Sequence, residues 1–409
     1  MSALVVPAWR NYIRNLRRYR VLLVALILIS LVFTVLLGTV LGLQGAIRDK
    51  ATRYFAGDVV VLGYTGDGQS RIDDPQAVVA AISRLQDAGT EIRAVSLRST
   101  YYEQSTTEFF FAGYYSRQRR LVGVEWEREG QILQGFELVA GELPRADDTQ
   151  GILISTATAA NLGIDVGEEL VVSIRSDRRR TNTADLVVRG IFSETSFFGY
   201  TAYLHRETLN RLREAPPARV NEIGLYLVEG PRQEKRTAHL LTAAPEEAGL
   251  PVFPVLTSRE AYSDASRLKR DVRTYGVVTL DAQLAEITDL IRAVSLIAAA
   301  VVVLFLAIVT VGVGNTWSMV VWERTREIGT LRALGMQRSD TISLFLLESV
   351  FLGLSGVIVG VSGGIGLLSG VHRWVQFAPS AATTLFFTRG RLPYLLPLWM
   401  LGLIVGLVV

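Results

Sequence analysis

Long uncharged apolar runs alternate unevenly with stretches of ordinary mixed composition. Val21 to Leu43 and Ala293 to Gly314 carry no charged residue, and Leu344 to Leu368 carries one, Glu348. A bilayer core needs roughly 20 apolar residues in a helix, so each run predicts a membrane-spanning helix. A fourth run, Leu392 to Val409, would reach about 27 Å and is expected to continue past Val409. Residues 44 to about 285 read differently, as strands and short helices. Strands are predicted at Asp58–Leu62, Glu91–Tyr102, Glu108–Tyr115 and Arg120–Glu125, with a helix at Pro75–Ala88. A second set follows: a strand at Ile152–Ile154, a capped helix at Ser155–Leu162, and a hairpin of Glu169–Ile174 with Asp185–Phe192. Past the Pro216-Pro217 break the first pattern returns, with Glu222–Val228 as strand, Arg232–Leu241 as helix and Val252–Val255 as strand. Ser258 to Leu290 is polar and reads as helix.

The expected fold is an α-helical membrane protein with four transmembrane helices plus a large extracytoplasmic α+β domain. That domain is a split βαβ–βαβ unit, 57–125 plus 218–256, with a mostly-β subdomain, 126–215, inserted. Residues 1–20 are expected as a cytoplasmic interfacial helix, because Trp9, Tyr12, Ile13 and Leu16 recur at helical spacing among arginines. Residues 21–56 and 257–314 form the first two spans with their stalks, and 315–343 is an inner loop. The third span is 344–368, 369–391 an outer loop, and 392–409 the fourth span.

Charge placement orients this scheme. Arg10, Arg14, Arg17, Arg18 and Arg20 crowd the segment before the first span, which puts the N-terminus in the cytoplasm and the large domain outside. The net charge of +3 gives no case for nucleic acid. The absence of cysteine removes disulfides, thiolate catalysis and Cys-ligated metals. The roughly 240 outer residues are enough to hold a core without them.

Candidate chemistry is sparse. No G-x-x-x-x-G-K-[ST] is present, so the chain has no P-loop. His205, His239 and His372 are widely separated, which argues against a metal or a triad site. No catalytic, cofactor-binding or metal-binding residues are assigned, and the chain is read as non-catalytic. Glu348 is costly inside a span, but the other runs supply no charged partner for a relay, so it reads as a structural carboxylate. Gly38 and Gly42, and Gly356, Gly360 and Gly364, recur at four-residue spacing and predict close helix packing, expected within a dimer. The aromatics Tyr101, Tyr102, Phe109, Phe110, Phe111, Tyr114 and Tyr115 are expected mostly in a core. Phe197, Phe198 and Tyr200 form a candidate contact loop on the outer side.

The inner loop carries the most specific pattern. Trp322-Glu323-Arg324-Thr325-Arg326-Glu327-Ile328-Gly329-Thr330-Leu331-Arg332-Ala333-Leu334-Gly335, followed by a span with L-x-E-S-x-x-x-G-x-x-G-x-x-x-G, strongly resembles the FtsX/MacB superfamily of ABC-transporter permeases. Arg14-Asn15-Leu16-Arg17 resembles that family's N-terminal motif. Gly123 to Glu125, Gly141-Glu142, Gly151 to Ser155, Leu162-Gly163, Val166 to Glu168 and Gly190 to Phe192 are similar to its periplasmic core domain. The resemblance implies four spans per protomer, a second permease protomer (homo- or heterodimer), and a separate cytoplasmic ATPase dimer that binds ATP and Mg. It also implies a coupling helix comprising Trp322, Glu323, Arg324, Arg326, Glu327, Ile328, Gly329, Leu331, Arg332 and Gly335. Motion would pass from the ATPase to the periplasmic domain, in the inner membrane. The large outer domain without a fused ATPase looks most like the LolC/LolE lipoprotein-release type. That layout implies a lipoprotein substrate and a periplasmic carrier or outer-membrane partner. A MacB-like efflux permease of a tripartite system shares the layout, and a membrane-anchored sensor or scaffold is the reading from another class.

Overall fold

A computed structural model describes residues 2–64, 71–72, 74–102, 107–193, 200–247, 274–323, 325–333, 335–378, 383 and 386–408. The chain divides into two compact units. The first comprises Met1–Ala46, Leu290–Ala378 and Phe386–Val409, and the second Ile47–Asp289 with Pro379–Leu385.

The first unit is helical. Helix α1, Ser2–Tyr54, belongs to it as far as Ala46. Three described helices are long and apolar enough to cross a membrane, over Tyr19–Tyr54, Arg292–Gly312 and Arg338–Trp374. A shorter apolar helix covers Leu398–Val408. Glycine sets the packing of the first and third. A Cβ on Gly356 would lie 2.7 Å from Leu26 Cβ, one on Gly360 2.6 Å from Ser30 Cβ, and one on Gly364 2.7 Å from Thr34 Cβ. The stripe therefore receives α1 of the same chain. This corrects the expectation that it serves a dimer: its close-approach surface is already filled. Gly38 and Gly42 are used likewise, against Leu396 and against the main chain at Pro393 and Tyr394.

The second unit is a twelve-stranded sheet with helices on its faces. In chain order its elements are β1 Val59–Tyr64, α2 Pro75–Asp87, β2 Ile92–Tyr101, β3 Glu108–Phe111, β4 Tyr114–Arg117, β5 Arg120–Val124, α3 Trp126–Leu133 and β6 Leu138–Gly141. There follow β7 Gly151–Ser155, α4 Thr156–Leu162, β8 Glu169–Arg175, β9 Thr181–Phe192, β10 Thr201–His205 and α5 Arg206–Leu212. The last are β11 Glu222–Leu227, α6 Gly230–Glu247, β12 Thr274–Thr279 and α7 Leu280–Gln283. The sheet order is β12-β1-β11-β2-β5-β10-β7-β9-β8-β3-β4, with β6 beside β9.

Its first four strands are antiparallel throughout. They pack Val59, Val61, Leu97, Ile223 and Leu225 against Val78, Ile82 and Leu85 of α2 and Ala238 and Leu241 of α6. The two βαβ segments thus interleave. The edge strand β12 lies where the sequence suggested helix. Its Thr-Tyr-Gly-Val-Val-Thr alternates, so Tyr275 and Val277 join this core while Val278 faces Leu62, and all six residues pair with β1. The strand expected at Val252–Val255 lies outside the described residues.

The other seven strands of the main path centre on a second core. Strands β3 to β5, assigned by sequence to the split unit, belong here: β3 pairs with β8, and β5 runs parallel to β10. Strand β2 joins the halves, because Ile92 to Arg98 pairs with β11 and Ser99 to Tyr101 with β5. Phe109 and Tyr101 enter the core. Phe110, Tyr114 and Tyr115 are exposed, against expectation, because β3 and β4 form a hairpin at the sheet's end; Tyr102, just past β2, is exposed too and donates its hydroxyl to Glu222 at 2.9 Å.

Candidate functional site

The segment expected to dock a partner lies in the first unit. Helix α8, Ala285–Glu323, ends there and α9 covers Thr325–Ala333. Thr325 Oγ1 donates to the Trp322 carbonyl at 2.9 Å, and Thr330 Oγ1 to that of Arg326 at 2.9 Å. Gly335 closes the turn at φ +94°, donating its N–H to the Arg332 carbonyl at 3.1 Å. A left-handed residue after a helix is most readily glycine. Trp322 is 81% exposed, and Arg326, Gly329 and Arg332 are exposed as well. Arg324 lies outside the described residues, as do the side chains of Glu323, Glu327, Ile328 and Leu331. Trp322 at the end of α8 and Arg326 and Arg332 on α9 thus all stand exposed in this segment.

Helix α10, Arg338–Trp374, carries Glu348, which is buried and accepts a hydrogen bond from Tyr19 Oη at 3.1 Å. Of the outer contact loop, Phe197 and Phe198 lie outside the described residues. Tyr200 is 38% exposed with φ +59°.

The second unit holds a polar assembly that no motif announced. It surrounds the C-terminal end of α1. The last carbonyls of a helix have no partners within it and carry partial negative charge. Here two buried arginines supply the donors. Arg98 Nη1 donates to the carbonyls of Arg53 at 3.0 Å and Tyr54 at 3.3 Å. Arg120 Nη1 donates to the Tyr54 carbonyl at 2.8 Å. Each arginine is itself held by a carboxylate. Arg98 Nε and Nη2 reach Glu129 Oε2 at 2.9 and 2.7 Å, and Nη2 also donates to Tyr226 Oη at 2.9 Å. Arg120 Nη2 meets Glu222 Oε2 at 3.0 Å, and its guanidinium covers the Tyr54 ring at 4.7 Å.

Both side chains of the Arg98–Glu129 pair are fully buried. Burial by itself would weaken the Arg98 charge. Glu129 and Tyr226 reverse that, and its pKa lies above the ordinary arginine value. Burial opposes the Arg120 charge in the same way, and Tyr102 and Glu222 turn the balance upward. Past the helix the chain turns sharply, with Ala56 at φ +69° and Gly57 at φ +129°. A Cβ on Gly57 would strike the Leu225 main chain.

One turn and a half earlier, Arg48 of α1 binds three further elements. Its Nη1 donates to Asp281 Oδ1 of α7 at 2.7 Å. Its Nη2 bonds Glu234 of α6 and lies 3.8 Å from Asp58 Oδ1, just before β1. Glu234 Oε1 in turn accepts the Asp281 N–H at 3.0 Å. Asp58 Oδ2 accepts the Leu227 N–H at 2.9 Å. Arg53 donates to the Gly135 carbonyl beyond α3. Burial raises the Asp58 and Glu234 carboxyls above their ordinary values. The sequence held one signal for this assembly: Arg98 lies within an otherwise β-forming run, where an unpartnered charge would be intolerable, whereas Arg120 follows a polar stretch and gave none.

Elsewhere in this unit, a cleft of about 640 Å³ opens where the parallel strands β5 and β10 end. It is lined by Glu125, Trp126, Arg128, His205 and Arg206 among others. Arg128 and Arg206 both bind Glu125, so much of its charge is paired internally. Among the described residues, no group of three or more His, Asp or Glu side chains is placed to hold a metal.

Comparison with known proteins bears on the helical unit. Residues 299–409 match the FtsX-like permease C-terminal family. An uncharacterised ABC transporter permease of Methanocaldococcus jannaschii is 34% identical over 91 residues, 22% of this chain and 23% of that protein. The macrolide export ATP-binding/permease protein MacB of Chlorobium luteolum is 50% identical over 56 residues, 14% of this chain and 8% of that protein. These alignments span about a quarter or less of the relatives' length. Among solved structures, the periplasmic region of MacB from Actinobacillus actinomycetemcomitans is similar over 58% of this chain and 95% of that one, with 15% identity and a TM-score of 0.33.

Proposed function

We propose, from the FtsX-like permease C-terminal domain that residues 299–409 form, that this chain is the non-catalytic membrane subunit of an ABC transporter. Its task is to convert motion of a separate ATPase into motion of the sheet-bearing unit. The reading places the N-terminus in the cytoplasm, the helical unit in the inner membrane and the sheet-bearing unit in the periplasm. Two ATPase subunits, carrying the ATP and Mg, dock on the end of α8 and on α9 through Trp322, Glu323, Arg326, Glu327 and Arg332, and a second permease protomer completes the complex.

The observation that carries the reading is the hold on α1. A helix that only anchored a domain would need no more than a tether. Here Arg98 and Arg120 fix the main chain of its last turn, and Arg48 fixes its flank to α6 and α7. Pulling or turning α1 therefore moves the sheet, because the charge-assisted hydrogen bonds to the Arg53 and Tyr54 carbonyls and the Arg48 ion pairs would all have to break together.

Lipoprotein release is the proposed task, on the layout of the chain. MacB-like export is supported by the relative named as a macrolide exporter, and the α1 hold would serve either. Reconstitution decides between them: release of a lipoprotein from the membrane against efflux of a macrolide. The docking step is tested by Glu327→Lys and Arg332→Glu in the reconstituted complex. Each is expected to uncouple ATP hydrolysis from substrate movement. Intact coupling in both variants would refute docking through α9.

A further inference from the structure

The first turns of α1 present three distinct faces. Ala8, Tyr12 and Tyr19 are buried. Tyr12 Oη bonds Ser355 Oγ at 2.6 Å, Tyr19 Oη donates to Glu348, and the Trp9 ring meets Phe351 edge-on at 5.2 Å. Beside this face runs an exposed apolar one. Val6 is 59% exposed, Ile13 51%, Trp9 47% and Leu16 37%. Beyond it lie Arg10, Arg14 and Arg17, all exposed, while Arg20, exposed as well, falls within the apolar stripe itself. At about 100° per residue the order around the helix is packed, apolar, basic. No Asp or Glu occurs in the chain before Asp49, so this stretch of α1 has no acidic neighbour along its own sequence.

Two simpler explanations account for less. Fixing the orientation of a span requires positive charge near its end, on any face. An acidic protein partner would engage the arginines but leave the adjoining apolar stripe in water. A bilayer interface satisfies both stripes, with acyl chains against Val6, Trp9, Ile13 and Leu16 and headgroups at the guanidinium groups. Arginine suits phosphate because its fork donates two parallel hydrogen bonds.

We propose that this basic face is a docking surface for the phosphate headgroups of anionic phospholipids, which hold the first turns of α1 against α10. The proposal rests on the reading of the chain as a bilayer-spanning permease. Each arginine near an anionic surface is worth roughly fivefold in binding.

The test uses the full chain in nanodiscs of phosphatidylcholine alone and of phosphatidylcholine with an equal part of phosphatidylglycerol. Retained lipid is identified by native mass spectrometry. A fluorophore on Ile13→Cys, specific because the chain has no cysteine, reports contact with nitroxide-labelled lipid. The wild type should retain phosphatidylglycerol preferentially and lose that preference reversibly in high salt. The triple variant Arg10→Gln, Arg14→Gln, Arg17→Gln should lose it by roughly fivefold per arginine, while Arg84→Gln, exposed on α2, keeps it. An unchanged preference in the triple variant, or none in the wild type at low salt, overturns the proposal alone. Failure of the wild type to enter either disc overturns the bilayer-spanning reading and the proposal together.

Discussion

Arg98 Nη1 lies 3.0 Å from the carbonyl oxygen of Arg53, so a strand residue completes the hydrogen bonding of a helix 45 residues earlier in the chain. The same guanidinium is held by Glu129 and Tyr226. Its charge, its burial and its helix-capping role cannot be separated by a single truncation.

Arg98→Met should lower the stability of the full chain by about 3–5 kcal/mol, because Glu129 is left buried and unpaired. Arg98→Met with Glu129→Met should regain much of that loss. The α1 carbonyls stay unserved in the double variant, so it should be stable yet poorly coupled. Thermal unfolding in detergent, set beside ATP-driven substrate movement, reads the two effects independently.

The cluster around Arg48 predicts a pH dependence. Burial raises the Asp58 and Glu234 carboxyls, so the folded chain holds their protons more tightly than the unfolded chain does. Their contribution to stability is then greatest below the ordinary carboxylate range and falls as pH rises through the raised values. Unfolding temperatures taken upward from that range should decline, and Glu234→Gln should flatten the decline. An equal slope in Glu234→Gln would show that the carboxyl does not titrate in this interval.

Gly360 offers a test of helix packing. A Cβ there would sit 2.6 Å from Ser30 Cβ and against the Ile27 carbonyl. Gly360→Leu should separate α1 from α10 and cost about 1–3 kcal/mol. Cross-linking between cysteines placed at Leu31 and Gly363, which face each other across the two helices, should fall in that background. Gly370→Leu, where a Cβ meets nothing within 4 Å, should leave it unchanged.

Glu348 accepts from Tyr19, which suits a structural carboxylate. Glu348→Gln should therefore preserve substrate movement at every pH where the wild type works. Glu348→Leu should destabilise by about 1–3 kcal/mol, as it removes a buried acceptor of the Tyr19 hydroxyl. A transport rate that loses its pH dependence in Glu348→Gln would instead make the carboxyl a proton carrier.

The exposed helix α9 and the glycine stripe were legible along the chain, because each is a local repeat of residue type at helical spacing. The partner of the stripe was not. Small residues at four-residue spacing announce a close neighbour without saying which, and the neighbour is α1 of the same chain rather than another protomer. Strand β12 was not legible, because Ser258 to Leu290 reads by composition as one polar helical stretch. Its identity depends on β1, more than two hundred residues away in sequence.

The sequence by itself determined where apolar runs fall, which segment presents Trp322 and Arg332, and that the middle of the chain alternates strands with helices. These follow from hydropathy and period, which are properties of neighbouring residues. Tertiary structure decided how the end of α1 is held. Arg53, Arg98, Glu129 and Tyr226 come from four elements, and nothing in the spacing of one constrains another. Burial made the difference: a charge removed from water must find partners wherever the fold supplies them, and here they lie at the end of the helix that the chain enters first.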